Sequence, residues 1–344
     1  MVLGLPGVWA VMAGLASGKR VESLELPEMP NMPFLYWLAV AGALCKPKWT
    51  DAKAWPALKV SMTTPVAAEP KRLAAYKRLA GWPMPEGRGV PCCFMMAEAF
   101  KLVMQVMTLP AFPVSVLGTV VNKRARYALL RAVAPGEALL YSCSLNPAVR
   151  ETFSGHKEFD LLLEAVSEDK GDVVWQAVLS LVLMKPRGKG GKKEGGAKPG
   201  AGEKPAGDAP AADALAPVDS WALPESTGRS YAALDGDISP MHLWKATAAL
   251  MGFPAPVANV HLLAGRTEAS LATKKAGAAE PAAPFSLELE FKKPTLLPNT
   301  LSLCGGASWA AAAAAGGYAL RIDDKKARPL ATGSASSKAS LTRF

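Results

Sequence analysis

One low-complexity stretch divides this sequence into two parts. Residues 187–217, RGKGGKKEGGAKPGAGEKPAGDAPAADALAP, consist mainly of Gly, Ala, Lys, Pro and Glu, with no aromatic residue and a single leucine. Such a segment buries too little apolar surface to offset the entropy that it would lose on ordering. We therefore predict a flexible linker over 187–217 and a folded unit on each side of it.

The overall composition is that of a folded protein. Half of the 344 residues are hydrophobic and 20% are charged, which excludes global disorder. The net charge is +10, but many of the basic residues crowd the linker region without interleaved aromatic residues: Lys185, Arg187, Lys189, Lys192, Lys193, Lys198 and Lys204. We expect no nucleic acid as a partner. A basic surface also suits a phosphorylated coenzyme or an acidic carrier protein.

The cysteine pattern indicates a reducing compartment. The five cysteines form no Cys-x-x-Cys pair and have no histidine at metal-ligand spacing. We therefore expect free thiols, no structural zinc and no cofactor. The compartment that fits these thiols is the cytoplasm, with the mitochondrion and the peroxisome left open.

Residues 1–56 form an apolar N-terminal extension. Its first part lacks a positively charged start, and Pro6 and several glycines interrupt it, so it is a poor signal peptide and a marginal membrane span. The apolar run at 33–45 is too short to cross a bilayer. It predicts a helix that packs on the first unit, and contact with a membrane surface is the alternative.

Each folded unit, at 57–186 and 218–344, has helical signals followed by strand signals. Residues 94–109 are apolar nearly all the way round, which predicts a buried helix wrapped by a sheet. Alternating apolar residues at 285–291 predict a strand with one buried face. Both units also contain Tyr-x4-Gly ahead of these elements, Tyr76 to Gly81 and Tyr231 to Gly236. We predict a duplicated α+β unit.

Only the second unit carries an acid and a base close together. In GDISPMH, Asp237 and His242 lie on either side of Pro240, and Gly236 permits a sharp turn ahead of them. A carboxylate and an imidazole that meet in this way can hold and deprotonate one water molecule without a metal. The alternative is that Asp237 caps the following helix and His242 is a polar helix residue, and spacing alone favours this alternative.

The segment YAALDGDISPMHLWKATAALMGFPAPVA resembles the signature of MaoC-like dehydratases and (R)-specific type 2 enoyl-CoA hydratases. The matching positions are Tyr231, Gly236, Asp237, Pro240, His242, Gly252, Phe253, Pro256, Val257 and Ala258. The resemblance implies a tandem double hot-dog fold, in which each antiparallel sheet wraps a central helix. It also implies a monomeric pseudo-dimer or a homodimer.

The same resemblance implies a hydro-lyase that acts on acyl thioesters, bound to coenzyme A or to an acyl carrier protein. Asp237 and His242 would position the water that adds to a trans-2-enoyl thioester, giving an (R)-3-hydroxyacyl thioester, and would catalyse the reverse dehydration. Ser239, Asn259, Val260 and Phe253 would contact the substrate. Acyl chain length and reaction direction are left open.

Three positions depart from the family signature. Ser239 stands in place of asparagine, and the expected Ala-His-Gly is Ala258-Asn259-Val260. The family stabilises the thioester oxyanion with the backbone N–H at the position of Val260, where a branched side chain could crowd the carbonyl group. A catalytically weakened protein that binds acyl thioesters or acts as an assembly partner is therefore the alternative function. His261 is interpreted as a helix residue, and a shifted substitute for the missing histidine is the alternative.

Overall fold

The computed structural model describes residues 22–84, 86, 89–117, 120–185, 215–275, 282–306 and 317–338. These residues form a sheet of twelve strands with helices packed against it, the α+β architecture predicted from the sequence. The start of the N-terminal extension and most of the predicted linker lie outside the described residues. A strand begins at Ala216, inside the last residues of the predicted linker.

The N-terminal extension supplies two elements of the fold. The first strand, β1 (Ser23–Leu26), pairs in parallel with β2 (Leu58–Met62). Helix α1 (Met32–Cys45) follows β1 in the chain and begins where the Asn31 side chain accepts the Phe34 N–H at 3.2 Å. One face of α1 is buried, and the other exposes Trp37, Val40 and Leu44. No helix in the described part of the chain has the length and apolarity needed to cross a membrane.

The first unit wraps its strands around one buried helix. Every residue of α3 (Phe94–Thr108) except Lys101 is buried, as the apolar sequence of this segment predicts. The last two strands of the unit form a hairpin on either side of Gly171. The remaining elements of this unit are α2 (Pro70–Ala80), α3 (Phe94–Thr108), β3 (Val120–Leu129), β4 (Leu139–Leu145), β5 (Arg150–Glu151), β6 (Lys157–Ser167) and β7 (Val173–Leu183).

The second unit repeats this order with a broken helical region. Its elements are β8 (Ala216–Leu223), α4 (Thr227–Asp235), α5 (Pro240–Leu243), α6 (Lys245–Leu250), α7 (Val260–Ser270), β9 (Phe285–Phe291), β10 (Asn299–Gly305), β11 (Tyr318–Asp324) and β12 (Pro329–Ser336). The paired Tyr-x4-Gly segments correspond to α2 and α4. Both helices end at the glycine, with φ of +87° at Gly81 and +81° at Gly236.

The two units join edge to edge into one continuous sheet. The strand order is β1-β2-β4-β6-β7-β3-β9-β12-β11-β10-β8, with β5 beside β6. The central pair β3 and β9 is antiparallel, with Leu129 opposite Phe285 and Arg124 opposite Glu290. Moving outward from this seam, equivalent strands follow in the same sequence on both sides. The arrangement is therefore a pseudo-dimer within one chain.

A buried carboxylate ties the helices of the two units together. Glu268 of α7 accepts the backbone N–H of Cys92 at 2.7 Å and that of Cys93 at 2.9 Å. These N–H groups lie at the start of α3, whose own N-cap residue makes no side-chain hydrogen bond. Burial raises the pKa of Glu268 to about 7. The second unit thus caps the central helix of the first.

Candidate active site

A short turn after α4 brings Asp237 and His242 together. The helix ends at Gly236, whose positive φ glycine adopts without strain. The Asp237 N–H then donates to the Asp235 carboxyl group at 2.8 Å, and the Ser239 N–H donates to Oδ1 of Asp237 at 3.0 Å. Helix α5 begins directly after this turn and carries His242. The chain therefore reverses within a few residues, and the two side chains point into one space.

Asp237 and His242 face each other across a narrow gap. Oδ2 of Asp237 lies 3.6 Å from Nε2 of His242, and both residues are buried. The other ring nitrogen, Nδ1, lies 2.6 Å from the carbonyl oxygen of Val257. Because a carbonyl oxygen can only accept, Nδ1 carries a proton, and Nε2 faces the gap; when Nε2 carries no proton, its lone pair points towards Oδ2 of Asp237. Two facing acceptors suit a water molecule that donates to both.

Gly228 sets how closely α4 and α5 approach each other. A Cβ atom on this residue would lie 1.9 Å from the carbonyl oxygen of His242, so no side chain fits here. Next to it, Nη1 of Arg229 donates to the carbonyl oxygen of Leu243 at 2.6 Å. These contacts fix the backbone of α5 and, with it, the position of His242.

The carboxylate of Asp237 has a hydrogen-bond donor at each oxygen. Oδ1 also accepts the Tyr36 hydroxyl at 2.5 Å, and Oδ2 accepts the Asn259 side-chain amide at 3.0 Å. Burial acts to raise the pKa of Asp237, but His242 and the hydrogen bonds from Ser239 and Tyr36 outweigh burial and hold this pKa below its usual value. Asp237 is therefore ionised at neutral pH.

Asp235 is a second buried carboxyl group, which sequence reasoning missed. Its Oδ2 has no hydrogen-bond partner among the described residues. Burial and the adjacent charge of Asp237 raise the pKa of Asp235 well above its usual value. Of these two neighbouring carboxyl groups, Asp235 therefore holds its proton more tightly than Asp237. In the described part of the chain, no group of three or more His, Cys, Asp or Glu side chains is arranged to hold a metal ion.

The start of α7 lies beside Asp237. Asn259 is the N-cap of this helix: its Oδ1 accepts the His261 N–H at 2.9 Å, while its amide group donates to Asp237. Val260 follows as the first residue of α7 and is half-buried. Its N–H belongs to the first helical turn, where backbone donors have no acceptor within the helix. The start of α7 therefore places such a donor next to the acid–base pair.

The other two residues expected to contact substrate have different surroundings. Oγ of Ser239 lies 2.9 Å from the Tyr36 hydroxyl oxygen, so this side chain belongs to the hydrogen-bond network around Asp237. Phe253 lies in the turn between α6 and α7, is half-buried, and donates its N–H to the carbonyl oxygen of Ala248 at 3.0 Å. In the described part of the structure, no hydrogen bond or ring contact joins Phe253 to the pair.

His261 packs between the two units. Its Nδ1 lies 2.7 Å from the hydroxyl oxygen of Tyr127 on β3, and the imidazole is buried. Burial lowers the pKa of His261 to about 4, so the ring is neutral at physiological pH. The described hydrogen bond of its ring goes to Tyr127 and not to Asp237, which fits the interpretation as a helix residue.

Tyr36 is the residue of this network that sequence reasoning missed entirely. It is the one residue of α1 that carries a hydroxyl group, in a helix without charged side chains. A hydroxyl group in such a helix signals a polar partner. No local spacing identifies that partner, because Asp237 is 201 positions further along the chain.

Comparisons with known proteins show which solved structures share this architecture. No family model matches the sequence, and no curated protein sequence matches it. HtdX of Mycobacterium tuberculosis superposes with a TM-score of 0.62 at 22% identity, over 81% of this chain and 99% of that chain. The structure of a MaoC-like dehydratase superposes with a TM-score of 0.62 at 14% identity, over 82% of this chain and 98% of that chain.

A third similar structure is a conserved hypothetical protein of M. tuberculosis with a double hot-dog fold. It superposes with a TM-score of 0.50 at 12% identity, over 79% of this chain and 92% of that chain. The present chain therefore has a double hot-dog fold, the fold of MaoC-like dehydratases. This confirms the fold that the resemblance of residues 231–258 implied.

Proposed function

We propose that this protein is a hydro-lyase that reversibly hydrates trans-2-enoyl thioesters to (R)-3-hydroxyacyl thioesters in fatty-acid metabolism. The observation that carries the proposal is the gap of 3.6 Å between Oδ2 of Asp237 and Nε2 of His242, with the other side of each group already hydrogen-bonded. The double hot-dog fold shared with MaoC-like dehydratases supports the same class of reaction.

In the hydration direction, Asp237 and His242 hold one water molecule by its two protons. The water oxygen bonds to the β-carbon of the enoyl group as one proton passes to the pair. The pair returns a proton to the α-carbon, so that one water is added across the double bond. Dehydration reverses these transfers. Both groups are close enough to the water to act as proton acceptor and donor.

The start of α7 would bind the thioester carbonyl group. The N–H of Val260 can donate to the oxygen as negative charge develops there, and the helix N-terminus favours that charge. Asn259 fixes this helix start against Asp237. Phe253 is proposed to contact the acyl chain, because the family resemblance implies this role.

The acyl carrier would be coenzyme A or an acyl carrier protein, and both present the same thioester. We infer that the chain acts as a monomer, because the seam between β3 and β9 already supplies each unit with its partner. The exposed face of α1 is proposed to rest on a membrane surface, where long acyl substrates would be available.

Crotonyl-CoA tests the proposed reaction directly. We expect the wild-type protein to consume the enoyl thioester absorbance, and Asp237→Asn or His242→Ala to lower kcat by about 10²–10⁴-fold. His156→Ala is the matched control, because His156 lies in a hairpin of the first unit and its ring accepts the backbone N–H of Lys185. Inactivity of the wild type on both short and long enoyl-CoA substrates would rule out the reaction.

The second candidate function is a protein that binds acyl thioesters without turning them over. The observation that favours it is the half-buried Val260 side chain at the helix start, beside the donor that the carbonyl group needs. A binding protein would retain crotonyl-CoA affinity in Asp237→Asn and would show no turnover in the wild type. Calorimetric binding measured alongside the assay separates the two functions.

A further inference from the structure

Tyr36 reaches the proposed active site from outside both hot-dog units. It lies on α1, in the N-terminal extension, and its hydroxyl group donates to Oδ1 of Asp237 at 2.5 Å. The same oxygen lies 2.9 Å from Oγ of Ser239. A segment with no counterpart among the described residues of the second unit therefore contacts the carboxylate proposed to act on water.

The two carboxylate oxygens of Asp237 have different hydrogen-bond partners. Oδ1 is held by the Tyr36 hydroxyl and the Ser239 N–H, and it is turned away from His242. Oδ2 faces Nε2 of His242 and, within the described part of the chain, accepts the Asn259 amide alone. The hydroxyl group of Tyr36 thus binds Oδ1 and does not compete with a water molecule for Oδ2.

The position of Tyr36 is set by the packing of its helix. Leu35 and Leu38 are buried on either side of it along α1. Met32, one turn earlier, lies against the turn itself, since a Cβ atom on Gly236 would lie 2.7 Å from Cγ of Met32. The core therefore holds α1 against the turn that carries Asp237, and the hydroxyl group is delivered to the carboxylate already oriented.

The protonation state of Tyr36 suits a permanent donor. Burial, together with the charge of Asp237, raises the pKa of Tyr36 far above the physiological range. The hydroxyl group therefore keeps its proton while Asp237 is ionised, and a charge-assisted hydrogen bond of this kind is stronger than a neutral one.

We infer that Tyr36 is a positioning residue, which fixes the rotamer of Asp237 and keeps this carboxylate ionised so that Oδ2 remains available to water. The inference rests on the proposed hydratase reaction. It makes the N-terminal extension part of the active site, and it assigns to α1 a role that neither hot-dog unit supplies.

Tyr36→Phe tests this role, because it removes the hydroxyl oxygen and keeps the ring. We expect kcat on crotonyl-CoA to fall by about 10-fold or more, with KM little changed, since a lost hydrogen bond to a charged group is on that order. The acid limb of the pH–rate profile should move to higher pH, because Asp237 without this donor takes up a proton more readily. Unchanged kcat and an unchanged acid limb would refute the inference.

Tyr76→Phe is the matched control. It removes another buried tyrosine hydroxyl group, one with no hydrogen-bond partner among the described residues, and it should leave kcat and the pH profile unchanged. A Tyr36→Phe protein that is faster than the wild type would show that Tyr36 blocks the site, which would also overturn the inference.

A carboxyl titration separates this inference from the proposed function. Carbon-13 NMR of labelled Asp237 should show a higher pKa in Tyr36→Phe than in the wild type, whether or not crotonyl-CoA is the substrate. An inactive wild type with this pKa change would reject the reaction and keep the contact. An active wild type without the pKa change would reject the role of Tyr36 and keep the reaction.

Discussion

At the scale of single residues, the contact between Gly228 and the backbone of His242 leaves no room for a side chain. Gly228 lies in the first turn of α4, and replacing a helical glycine with alanine usually adds up to about 1 kcal/mol of stability. At Gly228 the structure predicts the opposite sign, because the new methyl group would meet the carbonyl oxygen of His242 at 1.9 Å.

We therefore expect Gly228→Ala to lower the free energy of unfolding by about 1–3 kcal/mol and to lower kcat by displacing His242. Gly42→Ala is the control, since Gly42 also lies inside a helix and its added methyl group would meet only Lys46 side-chain carbons, at 3.8 Å or more. Chemical denaturation and the crotonyl-CoA assay measure both effects. Equal stabilisation by the two substitutions would contradict the packing of α5 on α4.

The acid–base pair could be predicted from sequence, and its surroundings could not. Asp237 and His242 are five positions apart, so the turn between them and the resemblance of the segment identify both. The network around them depends on Tyr36 and Asn259, which are far away along the chain. Asn259 was predicted to contact substrate. In the structure its side-chain amide donates to Asp237, because the N-cap of α7 lies beside this carboxylate.

At the scale of elements, α1 has two faces with different environments. Its inner face packs on the core and carries Tyr36, while Trp37, Val40 and Leu44 recur at helical spacing on the exposed face. No acidic residue lies in α1, and the exposed Lys48 follows shortly after it. An apolar stripe next to a cation suits a membrane surface that carries anionic lipids.

We expect the full-length protein to float with vesicles of phosphatidylcholine and phosphatidylserine, and Trp37→Glu with Leu44→Glu to abolish flotation. Phe153→Glu is the control, because Phe153 is as exposed as Leu44 but lies in a hairpin of the first unit. A protein that stays unbound at every lipid composition would refute the membrane contact. Loss of a dimer in the double variant, measured by analytical ultracentrifugation, would indicate a second copy as the occupant of this face.

The hydrophobic periodicity of the sequence predicted the elements whose surroundings stay the same along their whole length. Helix α3 is apolar all round and is buried all round, and β9 alternates in sequence and in burial. The apolar run at 33–45 was predicted to be a helix on the first unit. Its contact with the second unit left no pattern, because this contact depends on the single hydroxyl group of Tyr36 and on Met32 just before the run.

At the scale of the whole molecule, the seam between β3 and β9 makes the two units one sheet with a shared core. The core residues form a single cluster that spans both units. Strand order and the seam were beyond sequence reasoning, because pairing between distant strands depends on the complete fold and leaves no local signal.

We expect a single cooperative unfolding transition in calorimetry, with equal calorimetric and van't Hoff enthalpies. Leu289→Ala, opposite Ala125 in the seam and fully buried, should lower the free energy of unfolding by about 2–5 kcal/mol and shift the whole transition. Two resolved transitions, with only the second unit affected by the substitution, would show that the units unfold separately.

The carboxylate of Glu268 has a consequence for stoichiometry. It sits on the amides at the start of α3, the place in the first unit that corresponds to the start of α7 in the second. A carboxyl group that already accepts these two N–H groups leaves them unable to donate to an incoming carbonyl group. Under the proposed function, one acyl group would therefore bind per chain, at the start of α7.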